Sequence, residues 1–424
     1  MKRKIDDILL KWKNNPEKKP LMVYGNKQVG KTYSVLMFGK ENYKNIAYFD
    51  TSNNIELYKL LKKERTIDRI IMNLSVLSNE TILEGDTLIV FDNLNDAEVS
   101  NAIRVFGRNK HNYHIILIAS LKSHLKQMKC EEFQYRMMLP MDFEEYLVAI
   151  DNEQLIDFIR NSFKNNKSMP FHSLALGYFE DYLMTGGMPE AVYVSITEKN
   201  RLFLNPIYDK IIDTYKKEIS TLDNLIDITR SIEVFDSIPF QLQKSNKKFQ
   251  YGLIKTGGRS KDYEKSIEFL CQNGFAYKSN RITEVKYPLS SCKDSDNFKL
   301  YFDDTGLLFN KMYLNRTKFL SDFSIKNTII ENMVAITIAN LGFNLYYYQS
   351  EGKAEVSFVV QTRLGKVVPI EIVNRNLSKA KSLTLFMNKF GVNDAIRITE
   401  DNFSLKKGIK YIPIYAIFCL EDIL

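Results

Sequence analysis

Residues 21–32 read Leu-Met-Val-Tyr-Gly-Asn-Lys-Gln-Val-Gly-Lys-Thr. The first four residues are apolar enough for a buried strand, and the other eight fit Gly-x4-Gly-Lys-Thr, the phosphate-binding pattern called the P-loop. Gly25 and Gly30 let the backbone turn tightly, so that its N–H groups can point at phosphate oxygens. The residues that follow can continue as a helix, whose N-terminal end favours an anion. A chance match in a loop is the alternative, but the apolar strand before the motif favours nucleotide binding.

The same loop predicts which residues bind ATP and Mg²⁺. Lys31 can reach the β- and γ-phosphates, and the Thr32 hydroxyl can ligate Mg²⁺. Residues 87–93, Thr-Leu-Ile-Val-Phe-Asp-Asn, have the Walker B form of an apolar strand that ends in an acidic residue. Asp92 is therefore expected to hold Mg²⁺ through water beside Thr32. The predicted ATP contacts are Gly25, Asn26, Lys27, Gln28, Val29, Gly30, Lys31 and Thr32.

The residue after the Walker B aspartate is unusual for hydrolysis. P-loop ATPases of this type usually place a glutamate there, which orients or deprotonates the attacking water, whereas this chain has Asn93. A carboxamide can orient water but is a poor base, and a general base typically contributes about 10²–10⁴-fold to the rate. We therefore predict a catalytic position at Asn93 with slow or absent hydrolysis, unless Asp96 or another carboxylate does this work.

Other side chains are predicted to act on the γ-phosphate. The apolar run His114–Ala119 is followed by Ser120, at a strand end where these ATPases sense this phosphate, although serine also closes strands as ordinary turn chemistry. The charge that develops during phosphoryl transfer needs a cation. Arg104, Arg108 and Arg136 are candidates, and an ordinary surface position is the alternative for each.

Composition places few limits on function. The chain has 424 residues, which predicts two to four domains of roughly 150 residues each. A net charge of +8 permits an anionic partner without requiring one. The four cysteines are far apart, which argues against a zinc site or disulfide framework and fits a reducing cytoplasm. We find no signal-peptide pattern and no apolar run near the roughly 20 residues that cross a bilayer, so we expect a cytoplasmic protein without a membrane segment.

The order of apolar runs predicts an α/β protein of four regions. Residues 1–140 alternate strands and helices, as in a P-loop NTPase core with a parallel sheet. The four apolar runs that predict its strands are Leu21–Tyr24, Ile46–Phe49, Thr87–Phe91 and His114–Ala119. Residues 141–243 read as a helical lid or linker, residues 244–320 as a winged-helix-like domain, and residues 321–424 as a second α/β domain. The expected breaks in the helical region are at Gly177, at Gly186-Gly187 and around Ser237-Ile238-Pro239.

Three further stretches accompany the P-loop with Asp92. They are Leu-Pro-Met-Asp-Phe-Glu-Glu-Tyr-Leu at 139–147, Tyr-Leu-Met-Thr-Gly-Gly-Met-Pro-Glu at 182–190, and Phe-Lys-Leu-Tyr-Phe-Asp-Asp-Thr-Gly-Leu-Leu at 298–308. On these four stretches the chain resembles the prokaryotic AAA-type ATPases that carry a C-terminal domain of unknown function, from about residue 18 to its end. We interpret Gly186-Gly187 as a helix cap and turn, and Asp304-Thr305-Gly306 as a turn that closes a strand, so both are expected to be architectural.

The resemblance implies a restriction-endonuclease-like fold at the C-terminal end. That fold needs a Glu on a helix, an Asp at a strand end, and a Glu-x-Lys on the next strand, which hold Mg²⁺ and assist water. Glu331 occupies the helix position, but Ser357 and Val373 stand where the Asp and Lys would be. Glu355 and Glu371 could still hold a weak metal. We expect a nuclease-like scaffold without nuclease chemistry.

Residues Lys244–Lys265 are rich in cations and suggest a nucleic-acid partner. Their order predicts a small helix-turn-helix unit, with a helix over Tyr263–Cys271 and a wing at 274–285. Duplex DNA is the functional interpretation, and a protein-contact module is the alternative. The seven cations are Lys244, Lys247, Lys248, Lys255, Arg259, Lys261 and Lys265.

These observations favour an AAA-type ATP-binding protein that switches conformation with nucleotide state and engages a protein or DNA partner. One alternative is a defence or mobile-element ATPase associated with nuclease action on DNA. A second is a pseudo-ATPase that serves as a protein-interaction scaffold.

Two further expectations concern the course of the chain. Residues 286–320 are expected to be connective, and the last strand is expected over Tyr411–Phe418.

Overall fold

A computed structural model describes residues 1–52, 54–63, 66–94, 97–109, 111–120, 130–198, 201–220, 227–350, 354–373 and 380–424. Two compact units make up the chain. Unit 1 comprises residues 1–139 with 272–274, and unit 2 comprises residues 140–271 with 275–424. The first boundary lies between Leu139 and Pro140.

Unit 1 is built on a five-stranded parallel sheet of order β2-β3-β4-β1-β5. The four predicted strands are present, and a fifth, β5, was not predicted. The strands are β1 (Leu21–Tyr24), β2 (Asn45–Asp50), β3 (Thr87–Asp92), β4 (His114–Ala119) and β5 (Gln134–Met137). The helices are α1 (Lys4–Asn14), α2 (Lys31–Asn42), α3 (Ile55–Lys63), α4 (Ile67–Ser78) and α5 (Ala97–Arg108).

The apolar runs form central strands because a parallel sheet is covered on both faces. All six residues of β3 and of β4 are buried. Alternate residues of β2 point to opposite faces, so Ala47 and Phe49 enter the core beside Phe91, whereas Tyr48 and Asp50 lie on the other face. Because β2 and β3 are parallel and in register, their polar last residues, Asp50 and Asp92, lie side by side at the carboxyl end of the sheet.

The first part of unit 2 is helical, as predicted. Gly186 caps the end of α8 with a φ of +68°, and its backbone N–H donates to the Tyr182 carbonyl, in line with the interpretation of a helix cap. The other two expected breaks are wrong, because Gly177 lies inside α8 and Pro239 lies inside α11. The helices are α6 (Phe143–Ala149), α7 (Gln154–Asn165), α8 (His172–Thr185), α9 (Pro189–Thr197), α10 (Leu204–Ser220) and α11 (Ile228–Gln243).

An eight-stranded mixed sheet of order β12-β13-β11-β10-β9-β8-β6-β7 forms the rest of unit 2. Its strands are β6 (Ala276–Ile282), β7 (Lys293–Phe302), β8 (Leu345–Gln349), β9 (Glu355–Gln361), β10 (Val367–Ile372), β11 (Ala395–Thr399), β12 (Ser404–Lys406) and β13 (Ile409–Pro413). The helices that accompany it are α12 (Ser260–Asn273), α13 (Thr305–Lys311), α14 (Arg316–Ser321), α15 (Phe323–Asn340) and α16 (Ala380–Phe390).

This sheet changes the interpretation of residues 274–320. The predicted wing is β6, which pairs with β7 on one side and with β8 on the other. The segment expected to be connective contains β7, so that prediction is wrong. Strands on both sides of residue 320 thus belong to one sheet, and the winged-helix division of the chain stays a prediction.

The end of the chain also differs from the expected strand. β13 ends at Pro413, and Ile414–Asp422 form 3₁₀ turns that are buried over their first seven residues. An apolar run of this kind fits either a strand or a buried helix, and periodicity alone does not separate the two. No helix in the described ranges is long and apolar enough to cross a membrane.

Candidate nucleotide-binding site

The P-loop joins β1 to α2, and its two glycines are required by geometry. Gly25 has a φ of +154°, and a Cβ on it would lie 2.0 Å from the Met138 carbonyl oxygen. Gly30 has a φ of +93° and precedes the first residue of α2. Residues that carry a side chain rarely adopt these backbone conformations, so this loop structure requires glycine at both positions. The backbone N–H groups at the start of α2 thereby remain available to an anion.

Lys31 is buried within this loop. Its Nζ donates hydrogen bonds to the carbonyl oxygens of Gly25 at 2.9 Å and Asn26 at 2.8 Å. An ammonium group held by neutral carbonyls can exchange them for phosphate oxygens, which are stronger acceptors because they are charged. The rest of the predicted loop contacts surround it: Asn26 and Val29 are buried, whereas Lys27 and Gln28 are half-buried.

Thr32 and Asp92 meet, as the two motifs predict. The Thr32 Oγ1 donates to Asp92 Oδ2 at 2.7 Å, and the Tyr48 hydroxyl donates to the same oxygen at 2.9 Å. Burial raises the pKa of Tyr48, and its bond to the Asp92 carboxylate raises it further, so the phenol stays protonated. A hydroxyl beside a carboxylate is the donor set that Mg²⁺ takes in P-loop proteins, and these residues therefore fit the ion.

Asn93 is engaged with a residue that sequence reasoning did not single out. It has a φ of +55°, and its Nδ2 donates to Asp50 Oδ1 at 3.1 Å. Its backbone N–H donates to Asp92 Oδ1 at 2.7 Å. Asp50 is the last residue of β2 and pairs in register with Asp92. The pattern of an acidic residue at the end of an apolar run could have found it.

The other predicted positions receive less support from neighbouring contacts. Ser120 follows β4 directly and is half-buried. Arg108 forms an ion pair with Glu132, and an Arg136 amino group donates to the carbonyl of the preceding residue. Asp96, the alternative base, lies outside the described residues. The catalytic assignments at Asn93 and Ser120 therefore stay predictions.

Arg3 supports the loop from α1, and sequence reasoning missed it. This buried side chain donates to the Val29 carbonyl at 3.1 Å and to the Leu139 carbonyl at 2.9 Å. These acceptors are 26 and 136 residues away in the chain, so no local pattern indicates the contact. Arg3 thus joins the P-loop to the end of unit 1.

In unit 2, the carboxylates that were predicted as nuclease positions are held by cations of the chain itself. Glu331 is buried on α15 and accepts hydrogen bonds from Lys247 Nζ at 2.6 Å, Lys299 Nζ at 3.2 Å and the Tyr301 hydroxyl at 2.6 Å. Lys299 also donates to Glu355 at 2.7 Å. Burial acts to raise the pKa of Glu331, but the charges of the two lysines outweigh it and hold the pKa well below its ordinary value.

The other predicted nuclease positions carry no metal-ligand set. Glu371 is held by the Arg397 guanidinium at 2.7 and 3.0 Å, and Ser357 Oγ accepts from the Ile372 N–H at 3.3 Å. In the ranges that the structure describes, no three His, Cys, Asp or Glu residues are grouped so that they could hold a metal ion. The expectation that Glu355 and Glu371 could hold a weak metal is therefore corrected, because cations of the chain itself already bind both.

The basic segment 244–265 presents fewer cations than its sequence suggests. Lys247 is buried against Glu331, which contradicts its predicted place on a DNA-binding surface. Lys244 donates to Gln250, and Lys248 is half-buried. The exposed cations of the segment are Lys255, Arg259, Lys261 and Lys265.

Two of the recognised stretches are parts of one junction. Asp304 Oδ2 accepts from the Gly187 N–H at 2.6 Å, while Asp304 Oδ1 accepts from the Leu307 N–H at 3.0 Å and caps α13. A Cβ on Gly186 would lie 2.2 Å from Asp304 Oδ1, and one on Gly306 would lie 2.4 Å from the Thr185 carbonyl oxygen. These glycines are required for close packing, which explains both stretches as architecture.

Comparison with known families agrees with this organisation. Residues 17–147 match the model of an AAA domain, residues 176–318 match a domain of unknown function designated DUF8612, and residues 326–417 match another designated DUF4143. The chain therefore carries an AAA-type P-loop domain followed by a C-terminal domain of unknown function, which confirms the resemblance. None of the curated proteins matches the chain.

Similarity to solved structures is low. A STAND (signal transduction ATPase with numerous domains) protein with a tetratricopeptide repeat sensor from Pyrococcus horikoshii is 12% identical, with 81% of this chain and 49% of that one covered and a TM-score of 0.31. The chain thus spans about half the length of that protein. A Drosophila origin recognition complex structure with DNA is 14% identical (69% and 89% covered, TM-score 0.28). The Aeropyrum pernix ORC1 protein in complex with DNA is 12% identical (78% and 91% covered, TM-score 0.26).

Proposed function

We propose that this AAA-type P-loop protein binds ATP with Mg²⁺ in unit 1, hydrolyses it slowly, and uses the nucleotide state to control how unit 2 engages a partner. The observation that carries the proposal is the contact of Thr32 with Asp92 beside Lys31. The P-loop and Walker B motifs lie 60 residues apart at this contact, yet their side chains are within hydrogen-bond distance.

The switch would work because bound nucleotide replaces hydrogen bonds that the site makes without it. The Lys31 ammonium would leave the two loop carbonyls for phosphate oxygens, and Thr32 with Asp92 would hold the metal ion that neutralises the phosphates. The Tyr48 hydroxyl would then lose or share its bond to Asp92. Because Tyr48 lies on β2, this exchange links the bound nucleotide to the edge of the sheet.

Binding of a labelled, non-hydrolysable ATP analogue tests the site. We expect Lys31→Ala to abolish Mg²⁺-dependent binding, because it removes the point charge that is predicted to reach the β- and γ-phosphates. Lys40→Ala is the matched control, since Lys40 is exposed on the same helix. Unchanged affinity in Lys31→Ala would refute the assignment of the nucleotide site.

We expect slow hydrolysis because Asn93 is itself no base, so that a proton acceptor for the attacking water must come from outside the usual position. Ordinary phosphoryl-transfer enzymes turn over at about 1–100 s⁻¹. We expect the purified chain to release phosphate below this range, and a turnover within it would contradict the proposal.

The nuclease alternative is disfavoured by Ser357 and Val373 and by the cations that bind Glu331 and Glu371. Four free thiols are compatible with the cytoplasmic location that we retain in the proposal.

Duplex DNA is a second candidate partner because four exposed cations lie in the loop before α12 and in its first two turns. Contact of three or four of them with phosphates would give a slope of about −3 to −4 in log K against log salt concentration. Anisotropy at several salt concentrations measures this slope. The variant Lys255→Glu, Arg259→Glu, Lys261→Glu is expected to lose most of the affinity and to keep ATP binding.

The control for that experiment changes net charge equally elsewhere in unit 2. Lys164, Lys167 and Lys217 are exposed, and their reversal to Glu is expected to weaken DNA binding far less. Equal losses in the two triple variants, or no binding at low salt, would remove DNA as a partner and favour a protein-contact module.

A further inference from the structure

We propose that Asp50 supplies the carboxylate that the Walker B motif lacks, and that Asn93 positions it for the attacking water. This inference rests on the proposed binding of ATP at the P-loop. It assigns the reactive carboxylate to the strand beside the one where sequence reasoning expected it, and it gives Asn93 a positioning role.

Strand register brings Asp50 to the required edge. Asp50 and Asp92 are partners on adjacent parallel strands, which are spaced about 4.7–4.9 Å apart. Residues two apart on a strand share a face, so Asp50 lies on the same face as Tyr48, whose hydroxyl contacts Asp92. The Asp50 carboxylate therefore lies at the same carboxyl end of the sheet as Asp92, one of the two predicted metal ligands.

Three hydrogen bonds fix the orientation of this carboxylate. Asp50 Oδ1 accepts from the Ser52 N–H at 2.9 Å, the Ser52 hydroxyl at 2.8 Å and Asn93 Nδ2 at 3.1 Å. Asp50 is exposed, and within the described part of the chain no donor lies at hydrogen-bond distance from Oδ2. One oxygen is thus anchored, and the other can accept a hydrogen bond from water.

The surroundings also keep Asp50 ionised. The hydrogen bonds that Ser52 and Asn93 donate to this carboxylate stabilise its charged form. A glutamate in place of Asn93 would remove one of these donors and add a like charge beside Asp50 and Asp92, which disfavours ionisation. The carboxamide at position 93 is therefore the neutral partner that this arrangement needs.

The step is hydrolysis of the terminal phosphoanhydride. The water oxygen forms a bond to the γ-phosphorus as the bond from that phosphorus to the bridging oxygen breaks, and the electron pair of the broken bond remains on ADP. A water proton moves to Asp50 Oδ2 and then to the released phosphate or to solvent. No other reactant is required.

Three measurements on the full chain test this role in Asp50→Asn. Affinity for the non-hydrolysable ATP analogue is expected to be unchanged, because Asp50 is not among the phosphate or metal contacts. Affinity for ADP with aluminium fluoride, which mimics the transferring group with its attacking water, is expected to fall at least about tenfold, as differential transition-state binding requires. Single-turnover phosphate release is expected to fall by about 10²–10⁴-fold.

Two more variants separate a specific role from a structural one. Asn93→Ala removes one donor, so the acidic limb of the rate against pH is expected to move to higher pH, with a smaller loss of rate. Asp86→Asn is the control, because Asp86 precedes β3 at the opposite end of the strand and pairs with Lys44. This control is expected to match the unmodified chain in all three measurements.

The outcomes distinguish this inference from the function on which it rests. If Asp50→Asn binds ADP with aluminium fluoride and releases phosphate like the unmodified chain, Asp50 has no such role. If the unmodified chain binds the ATP analogue but neither releases phosphate nor binds aluminium fluoride, the inference is overturned and ATP binding stands. If the unmodified chain does not bind the ATP analogue, the proposed function itself fails.

Discussion

The Walker B carboxylate of Asp92 and the carboxylate of Glu331, at the predicted nuclease position, have opposite kinds of hydrogen-bond partner. In unit 1, Asp92 accepts hydrogen bonds from two uncharged hydroxyl groups. In unit 2, Glu331 accepts from the ammonium groups of Lys247 and Lys299, both buried. Neutral donors leave the first carboxylate with its full charge for a metal ion, whereas the second is already neutralised from within the chain. An acidic residue in the expected place therefore predicts a metal site only when its partners are uncharged.

Removing the internal cation is expected to have the largest effect. Lys299→Met leaves the buried Glu331 and the half-buried Glu355 with less positive charge, and breaking a buried pair by removing one partner costs about 3–5 kcal/mol. Denaturant unfolding followed by far-UV circular dichroism measures the loss. Fluorescence of Trp12, the single tryptophan, reports on unit 1 and is expected to change little.

Lys293→Met is the matched control for this prediction. Lys293 lies on the same strand as Lys299 but is exposed, so its loss is expected to cost little stability. A cost for Lys299→Met no larger than that of the control would mean that the carboxylates do not need an internal cation, and the comparison between the two centres would fail.

Changing a partner of Asp92 tests the other side of the comparison. Thr32→Val removes a hydroxyl that is predicted to ligate Mg²⁺, so the Mg²⁺ concentration needed for half-maximal binding of the ATP analogue is expected to rise by at least about tenfold, the low end for weakened metal sites. Metal-independent binding through Lys31 is expected to persist. A Thr32→Ser variant keeps the hydroxyl and is expected to bind Mg²⁺ nearly as the unmodified chain does.

The ion pairs of Glu331 also predict a pH dependence. Because its pKa is depressed in the folded state, its contribution to stability is present above the ordinary glutamate pKa of 4.5 and is lost as pH falls through the folded-state value. One proton changes the free energy of unfolding by up to about 1.4 kcal/mol per pH unit. Glu331→Gln is expected to flatten this acid limb, and an identical pH profile in the variant would contradict the assignment.

The smallest effect is expected from restoring the missing nuclease residues. The variant Ser357→Asp, Val373→Lys completes the residue types that the resemblance implies. We expect no Mg²⁺- or Mn²⁺-dependent cleavage of DNA, because Lys299 and Arg397 still hold the carboxylates. Cleavage by this variant that disappears with Glu371→Ala would show that internal cations do not prevent metal binding.

Sequence patterns predicted the elements whose signal is local. The four long apolar runs of the first sheet and the helix through Glu331 were found because each carries its own hydrophobic pattern. β5 is as short as β1, but it was missed because its residues Gln-Tyr-Arg-Met form no apolar run and none of them is fully buried. The beginning of β7 was missed because it consists of the polar residues Lys-Asp-Ser-Asp-Asn, whereas its buried half is the strand that the turn at Asp304-Thr305-Gly306 was expected to close.

The errors at functional positions arose from contacts over long separations. Lys247 was assigned to a surface because it lies in a run of cations, but its partner Glu331 is 84 residues away. Asp50 was overlooked because the contact that distinguishes it, the Asn93 side chain, is 43 residues away and depends on strand register. By contrast, the P-loop was predictable because backbone geometry requires its glycines wherever the pattern occurs.

The junction between Gly187 and Asp304 has a consequence for how the chain is made. Its two partners are 117 residues apart, and at a synthesis rate of about 5–20 residues per second the ribosome needs about 6–23 s to add the second after the first. During that interval the helices up to α11 have emerged without the carboxylate that caps the Gly186-Gly187 turn. Unit 2 therefore completes this junction late in translation, after its first helices have already been made.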